Sequence, residues 1–134
     1  MRIFLVLFLI SISCFAMRAN NSYIVSSAAM TANINSAPTL LDQVFTASIQ
    51  ATWTGTPVGI FNIQVSNDKG LDPAGGGTPI TNWSDLAASS VAAGGAAGNF
   101  AWNLNDIGYR WARLHYEFSS STGTLSVRQN TKGF

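Results

Sequence analysis

The chain has 134 residues, of which 10% are charged, and this length predicts a single domain. From residue 17 onward, six basic and six acidic side chains give a net charge of 6 − 6 = 0. Such a neutral, sparsely charged surface argues against nucleic acid as a partner, because phosphate binding needs a basic patch, and it offers little electrostatic repulsion against self-association.

The first segment has the organisation of a secretory signal peptide. Arg2 supplies a positive charge, Ile3–Ile12 is almost entirely apolar, and small or polar residues follow. The apolar run is shorter than the ~20 residues of a membrane-spanning helix. We therefore predict that residues 1–16 form a cleaved signal peptide, with a cut after Ala19 as the alternative, and that the protein is exported.

Cys14, the only cysteine, lies inside this segment. A lipoprotein signal places a small residue before a cysteine that becomes the acylated N-terminus. Ser13 fits that rule, whereas Ser11 stands where Leu is expected, so lipidation of Cys14 stays open. After a cut behind Ala16, the mature domain of residues 17–134 keeps no cysteine and must be held by its core or its partners rather than by disulfides.

Beyond this segment the apolar residues recur with a period of two, which indicates β-strands. The first predicted strand is Tyr23–Ile34, and the clearest alternation follows in 43–54. One face of that strand collects Phe45, Ala47, Ile49, Ala51 and Trp53. Residues 59–67 alternate in the same way, and the intervening Thr54–Gly59 contains Gly and Pro, which mark a reversal. We predict that 43–54 and 59–67 form an antiparallel hairpin.

The C-terminal part predicts a second hairpin. The segment Tyr109–Phe118 alternates, and its apolar face carries Ala112, Leu114, Tyr116 and Phe118. A polar loop, Ser119–Gly123, separates it from a strand that runs from Leu125 to about Asn130. A shorter strand is predicted upstream, with Phe100, Trp102 and Leu104 on one face of Asn99–Leu104.

Composition marks two loops, residues 67–79 and residues 92–98, which are rich in Gly and small residues. Trp83–Ala88 fits either a short strand or one helical turn. About six or seven strands at this spacing predict an all-β fold, an antiparallel β-sandwich or jelly roll that follows the signal peptide.

The sequence offers few groups for catalysis or metal binding. His115 is the one histidine, no Gly-x-Ser-x-Gly motif is present, and His, Cys and carboxylates do not cluster. Asn67, Asp68 and Asp72 would supply only part of the six to eight oxygen ligands that calcium takes. We predict no enzymatic activity, no metal and no cofactor.

One strand face collects the candidate binding residues. Alternation places Trp111, Arg113, His115 and Glu117 together, opposite the apolar face of their strand. Arg113 and Glu117 are then ~13 Å apart, too far to pair with each other. Trp83 is a further candidate contact aromatic. These five residues are predicted as a binding face or a subunit interface; we favour an ordinary solvent face or an interface over a polar binding platform.

Several segments together resemble a family of small structural or attachment β-sandwich domains encoded by tailed phages, with similar exported chains in bacteria, including predatory bacteria. The segments are LDQVFTASIQATWTGTPVGIFNIQVSND, NWSDLAASS, AAGGAAGNFAWNLNDIGYRWARLHYEF, SSSTGTLSV and NTKGF, within about Ser26 to Gly133. The resemblance implies a part of a larger particle and no catalytic residues. Phage structural proteins need no signal peptide, so the predicted signal suggests the cell surface, outer membrane or periplasm of a Gram-negative bacterium.

We therefore expect an exported, non-enzymatic structural or binding module, phage-fibre-like or adhesin-like. It would act as a homo-oligomer, with a trimer as the first expectation, and its other partner would be a surface glycan or a cell-envelope component. The main alternative is a subunit of an oligomeric outer-membrane β-barrel, because strands 43–53 and 109–119 are long enough to cross a membrane at a tilt, so membrane association stays open. A small hydrolase is the least favoured alternative.

Overall fold

A computed structural model describes residues 18–70 and 77–133, and within them the chain forms ten β-strands and no helix. The strands are β1 (Arg18–Ala29), β2 (Ile34–Asn35), β3 (Thr39–Leu40), β4 (Val44–Gly55), β5 (Val58–Ser66), β6 (Ser84–Asp85), β7 (Val91–Ala92), β8 (Gly98–Asn103), β9 (Trp111–Ser120) and β10 (Gly123–Gly133). The predicted signal peptide over residues 1–16 lies outside the described residues. No helix in the described part is long and apolar enough to cross a membrane.

Two antiparallel sheets pack against each other, as the alternation predicts, so the prediction of a β-sandwich is confirmed. Sheet I contains four strands in the order β1-β10-β4-β8. Sheet II has the order β2-β9-β5-β6; β3 also pairs with β9, and β7 also pairs with β5. Six strands are long, in agreement with the expected six or seven, and the other four have two residues each. Of these, β6 lies in Trp83–Ala88, where a short strand is one of the two predictions, and the sequence pattern does not reveal β3 and β7.

The space between the sheets is filled by the side chains that alternation assigns to the inner faces. Phe61 lies at the centre, with ring centroids 4.7 Å from Trp53, 4.9 Å from Tyr116 and 6.3 Å from Trp102. Sheet I adds Ala47, Ile49, Ala51, Leu125 and Val127, and sheet II adds Ile63, Val65, Ala112 and Leu114. Burying a large apolar side chain contributes about 1.5–3 kcal/mol, so this cluster supplies most of the driving force.

Both predicted hairpins are wrong. Residues 43–54 correspond to β4 in sheet I, whereas 59–67 correspond to β5 in sheet II, and the two strands do not pair. The same holds for β9 and β10, which also lie in different sheets. Each connection is therefore an arch that carries the chain across the sandwich, and alternation continues unchanged because both strands point their apolar faces at the same core.

The first arch has a physical cause in its two linking residues, Thr56 and Pro57. A two-residue hairpin loop needs positive φ at one or both central positions, and proline fixes φ near −65°. Pro57 is instead fully buried, and Gly55 begins the crossing with φ +79°. Thr56 N–H donates to the Thr122 carbonyl (3.0 Å), so the two arches lie side by side.

Two smaller expectations change, and one open alternative is decided. Phe45 and Phe100 belong to the predicted apolar strand faces but are 47% and 42% exposed, because alternation assigns a face without telling how far the opposite sheet covers it. The first strand is β1, which ends at Ala29, and Ile34 belongs to β2. Of the two alternatives for Trp83–Ala88, the short strand is confirmed, because this segment contains β6.

Candidate functional site

The outer face of β9 carries the predicted residues on one side of sheet II. Trp111, Arg113 and His115 are partly buried and Glu117 is exposed, while the residues between them face the core. Their common face is therefore as predicted. Their neighbours on β5 and in the loops decide which of them act together.

Arg113 is held in place by two neighbours. In the β5–β9 register Gln64 lies opposite Arg113, and its Oε1 accepts hydrogen bonds from Nε (2.9 Å) and Nη2 (2.7 Å). The guanidinium lies 4.2 Å from the ring centroid of Trp83, which is a cation–π contact. Burial lowers the pKa of Arg113, but an arginine side chain stays charged in proteins.

Trp83 is fixed from the loop side. Its Nε1 donates to the Ile80 carbonyl (3.2 Å). The two residues just before Trp83 are held by Asp68. Its Oδ2 accepts hydrogen bonds from the N–H groups of Thr81 (2.8 Å) and Asn82 (2.9 Å), and its Oδ1 accepts one from the Asn82 side chain (2.9 Å). These bonds, the Asn82 side chain first, lower the pKa of Asp68. Asp68 therefore holds the chain that presents Trp83.

Trp111 is fixed by the same loop. Its Nε1 donates to the Asp68 carbonyl (3.0 Å), and its ring packs against Gly70. A Cβ on Gly70 would lie 2.6 Å from Trp111 Cζ2, and its φ of +71° is a conformation that other residues rarely adopt. A glycine is therefore required beneath this indole.

Together these residues form a concavity of about 320 Å³ on the outer surface of sheet II. Its lining consists of Pro38, Pro79, Ile80, Trp83, Trp111 and Arg113. We call it the Trp83–Trp111 concavity. Both indole N–H groups are engaged with backbone carbonyls, so the rings can meet a ligand only through their apolar surfaces. The guanidinium has more N–H donors than the two that Gln64 accepts, so it can also bind an oxygen of a ligand.

The other two predicted residues do not join this concavity. His115 Nδ1 is 2.7 Å from Asn35 Oδ1, across the β2–β9 pair. Glu117 lines a separate hollow of about 360 Å³ with Val58 and Ile60. The structure thus brings together Trp83, Trp111 and Arg113 and leaves His115 and Glu117 elsewhere on the face.

Sequence reasoning missed three lining or supporting residues: Pro38, Gln64 and Ile80. Pro79 also lines the concavity and ends the predicted loop 67–79, and such loops on a rigid sandwich are natural contact regions. Gln64 lies on the polar face of its predicted strand, which was a usable signal. Its partnership with Arg113 depends on the register between β5 and β9, which the sequence pattern does not reveal. The prolines lie in loops with no periodic signal.

The residues considered for calcium have structural roles where they are described. Asn67 Oδ1 accepts the Arg110 N–H (3.0 Å), and Asp68 organises the segment before Trp83. Asp72 lies outside the described residues. Within residues 18–70 and 77–133, no three His, Cys, Asp or Glu side chains are grouped so that they could hold a metal ion.

Comparison with known proteins finds a similarity in fold and none to a described family. No protein-family model matches the chain, and no curated protein does. Among solved structures, the crystal structure of the SPBc2 prophage-derived protein YomS is similar, with a TM-score of 0.50 and 10% sequence identity over 88% of this chain and 96% of that chain. A likeness at this identity concerns the fold alone. At that level it agrees with the resemblance to phage-encoded β-sandwich domains.

Proposed function

We propose that this protein is an exported, non-enzymatic structural and binding module that works as a homo-oligomer at the surface or in the periplasm of a Gram-negative bacterium. We propose further that the Trp83–Trp111 concavity binds a sugar residue of an envelope glycan. The observation that carries the proposal is the fixed arrangement of two indoles and one guanidinium. The fold that this chain shares with the prophage-derived protein YomS is compatible with a structural role for this chain.

The chemistry of the concavity suits a sugar. The C–H groups on one face of a pyranose pack favourably on the electron-rich face of an aromatic ring, and tryptophan offers the largest such face. A guanidinium beside the rings donates hydrogen bonds to hydroxyl or carboxylate oxygens. Because Trp83, Trp111 and Arg113 are already held by hydrogen bonds, little side-chain freedom is lost on binding, which favours affinity.

The proposal is tested by titrating the purified protein with soluble peptidoglycan fragments and lipopolysaccharide-derived polysaccharides while tryptophan fluorescence is followed. We expect Trp83→Ala to weaken binding about tenfold or more, because loss of a central aromatic contact costs about 1.4–2 kcal/mol or more. Arg113→Lys keeps the charge but loses the planar fork, and we expect a smaller loss. Phe100→Ala removes an exposed aromatic ring from sheet I and should leave binding unchanged.

Absence of binding across the panel, or an equal loss in Phe100→Ala, would contradict the glycan site. Hydrolysis of glycans or esters by the purified protein would contradict the non-enzymatic role. Expression of the full chain, followed by fractionation and mass spectrometry of the product, tests export and the cleavage site. Recovery only from membranes with detergent would favour the membrane-embedded alternative.

A further inference from the structure

We propose that copies of this protein associate edge to edge, with β8 of one copy pairing with β1 of the next, so that sheet I continues from copy to copy. Among the described residues, β1 pairs only with β10, and β8 pairs only with β4. Both strands thus leave one side of their backbone without a strand partner. This inference rests on the homo-oligomer of the proposed function and identifies the surface that would build it.

Hydrogen bonding identifies the outward backbone groups of β8. Leu104 N–H donates to the Ala47 carbonyl (2.8 Å), which makes these two residues a hydrogen-bonded pair of the β4–β8 ladder. Antiparallel ladders alternate between hydrogen-bonded and non-hydrogen-bonded pairs, and this ladder has no register shift. The N–H and C=O groups of Asn99, Ala101 and Asn103 therefore point away from β4.

The same alternation passes through β4 and β10 to β1. The β10–β4 ladder is regular from Gly123 to Lys132, and the β1–β10 ladder is regular from Arg18 to Tyr23. The backbone groups of Ala19, Asn21 and Tyr23 therefore point away from β10. Beyond this stretch the register of β1 shifts, and Ala37 N–H donates to the Ile24 carbonyl (3.2 Å), so a loop covers the rest of that edge.

The two free edges match in length and direction. The free part of β1, Arg18–Tyr23, has six residues, and β8 also has six. Three antiparallel ladders separate β1 from β8 in sheet I, so the two strands run in opposite directions. A second copy in the same orientation therefore presents its β1 antiparallel to β8 of the first copy.

The two edges also match in face. On both strands the residues whose backbone groups point outward carry their side chains on the outer face of sheet I, where Ala101, Asn21 and Tyr23 are exposed. Pairing Ala101 with Asn21 and Asn99 with Tyr23 keeps outer faces with outer faces. The hydrogen-bond direction and the side-chain direction thus agree at the junction, as a continuous sheet requires.

Charged side chains, proline and covering loops are the features that usually prevent strand addition, and the two free edges have few of them. Within residues 18–70 and 77–133, no loop backbone hydrogen bonds to either segment. Arg18 is the only charged residue in the two segments, and neither segment contains proline. The neutral charge of residues 17–134 adds little repulsion between copies. The contact is head-to-tail, so it builds an open chain of copies, or a ring such as a trimer if the rotation per copy closes.

The test uses one proline at each edge. Ala101→Pro and Asn21→Pro each remove an outward N–H without removing a hydrogen bond to the neighbouring strand, and Ala101→Ser and Asn21→Ser are the matched controls. Light scattering over a concentration series should give an oligomer for the unchanged protein and both serine variants. Each proline variant alone should be a monomer with an unchanged circular dichroism spectrum.

Mixing the two proline variants gives the sharpest result. Ala101→Pro keeps a functional β1 edge and Asn21→Pro keeps a functional β8 edge, so an equimolar mixture should form a dimer and nothing larger. If a proline variant unfolds, Ala101→Lys combined with Asn21→Lys should prevent association, and Ala101→Lys combined with Asn21→Glu should restore it.

Oligomers that persist in both proline variants, or a mixture that stays monomeric, would overturn the edge contact while leaving the homo-oligomer intact. A monomeric unchanged protein at every concentration would overturn both. Glycan titration of the same variants keeps the two proposals apart, because the Trp83–Trp111 concavity lies on sheet II and should bind whether or not the copies associate.

Discussion

The two sheets of the sandwich differ in how the outward backbone groups of their strands are hydrogen bonded. In sheet II the outward N–H groups of the long strands meet loop hydroxyls: Ser89 Oγ accepts from Ile63 (3.0 Å) and Ser36 Oγ accepts from Leu114 (2.9 Å). In sheet I, no loop in the described part of the chain hydrogen bonds in this way to the backbone of β8 or of the first half of β1. Strands of the same alternating type thus produce one closed sheet and one open sheet, and the loops make the difference.

The loops that close sheet II also build its concavity. Pro38 follows Ser36 by two residues, and Trp83 directly precedes β6, whose Asp85 accepts a hydrogen bond from the Gln64 side chain (3.0 Å). The segments that protect the edges of sheet II therefore also line the proposed glycan site, whereas sheet I carries the edges of the proposed contact between copies. Four predictions test this division.

The largest effect should come from the core that both sheets share. Phe61→Ala removes the ring that touches Trp53, Tyr116 and Trp102, and we expect a loss of about 3–5 kcal/mol in the free energy of unfolding in urea. Phe100→Ala is the control, because its ring is 42% exposed at the edge of sheet I. Equal losses would mean that the core is not centred on Phe61.

The next effect concerns the closure of sheet II. Ser89→Ala leaves the buried Ile63 N–H without its acceptor, and the lost hydroxyl also donated to the Leu86 carbonyl (2.7 Å). We expect a loss of about 1–3 kcal/mol in urea unfolding and faster amide exchange at Ile63. Ser90→Ala, at the exposed neighbouring position, should change neither. Unchanged exchange at Ile63 in Ser89→Ala would contradict the closing role.

A smaller effect is expected beneath the concavity. Gly70→Ala places a side chain at positive φ and against Trp111, so we expect a loss of about 1–2 kcal/mol and weaker glycan binding as the indole shifts. Gly108→Ala is the control, since a Cβ there meets nothing within 4 Å. Thermal unfolding measures the stability of the two variants, and fluorescence titration measures their glycan binding. Full binding by Gly70→Ala would show that the position of Trp111 does not matter.

The smallest effect is the pH dependence due to Asp68. Its pKa is lowered in the folded state, so its contribution to stability is present above its ordinary value of 3.8 and is lost as the pH falls through the lowered pKa. Asp68→Asn cannot titrate. We therefore expect the unfolding temperature of the unchanged protein to exceed that of the variant at neutral pH and to approach it below pH 3.8. A difference that stays constant with pH would contradict this role.

The sequence predicted most of the candidate residues of the site, but it did not predict which of them come together in one concavity. Alternation places Trp111 and Arg113 on one outward face because side-chain direction in a strand is a local property. Trp83 lies about thirty residues from Arg113 along the chain, and only the folding of β6 against β5 brings the two together. His115 and Glu117 share the face by the same periodicity, yet they meet other neighbours.

The sequence by itself determined the class of fold and which face of each long strand is turned toward the core, because a period of two is set within each strand. Only the tertiary structure decided which strands pair. The same alternation suits a hairpin within one sheet and an arch between two, and the choice depends on the short links at Thr56–Pro57 and Ser121–Thr122 and on contacts between distant segments, such as β1 with β10. The open edges of sheet I and the concavity of sheet II both follow from that pairing.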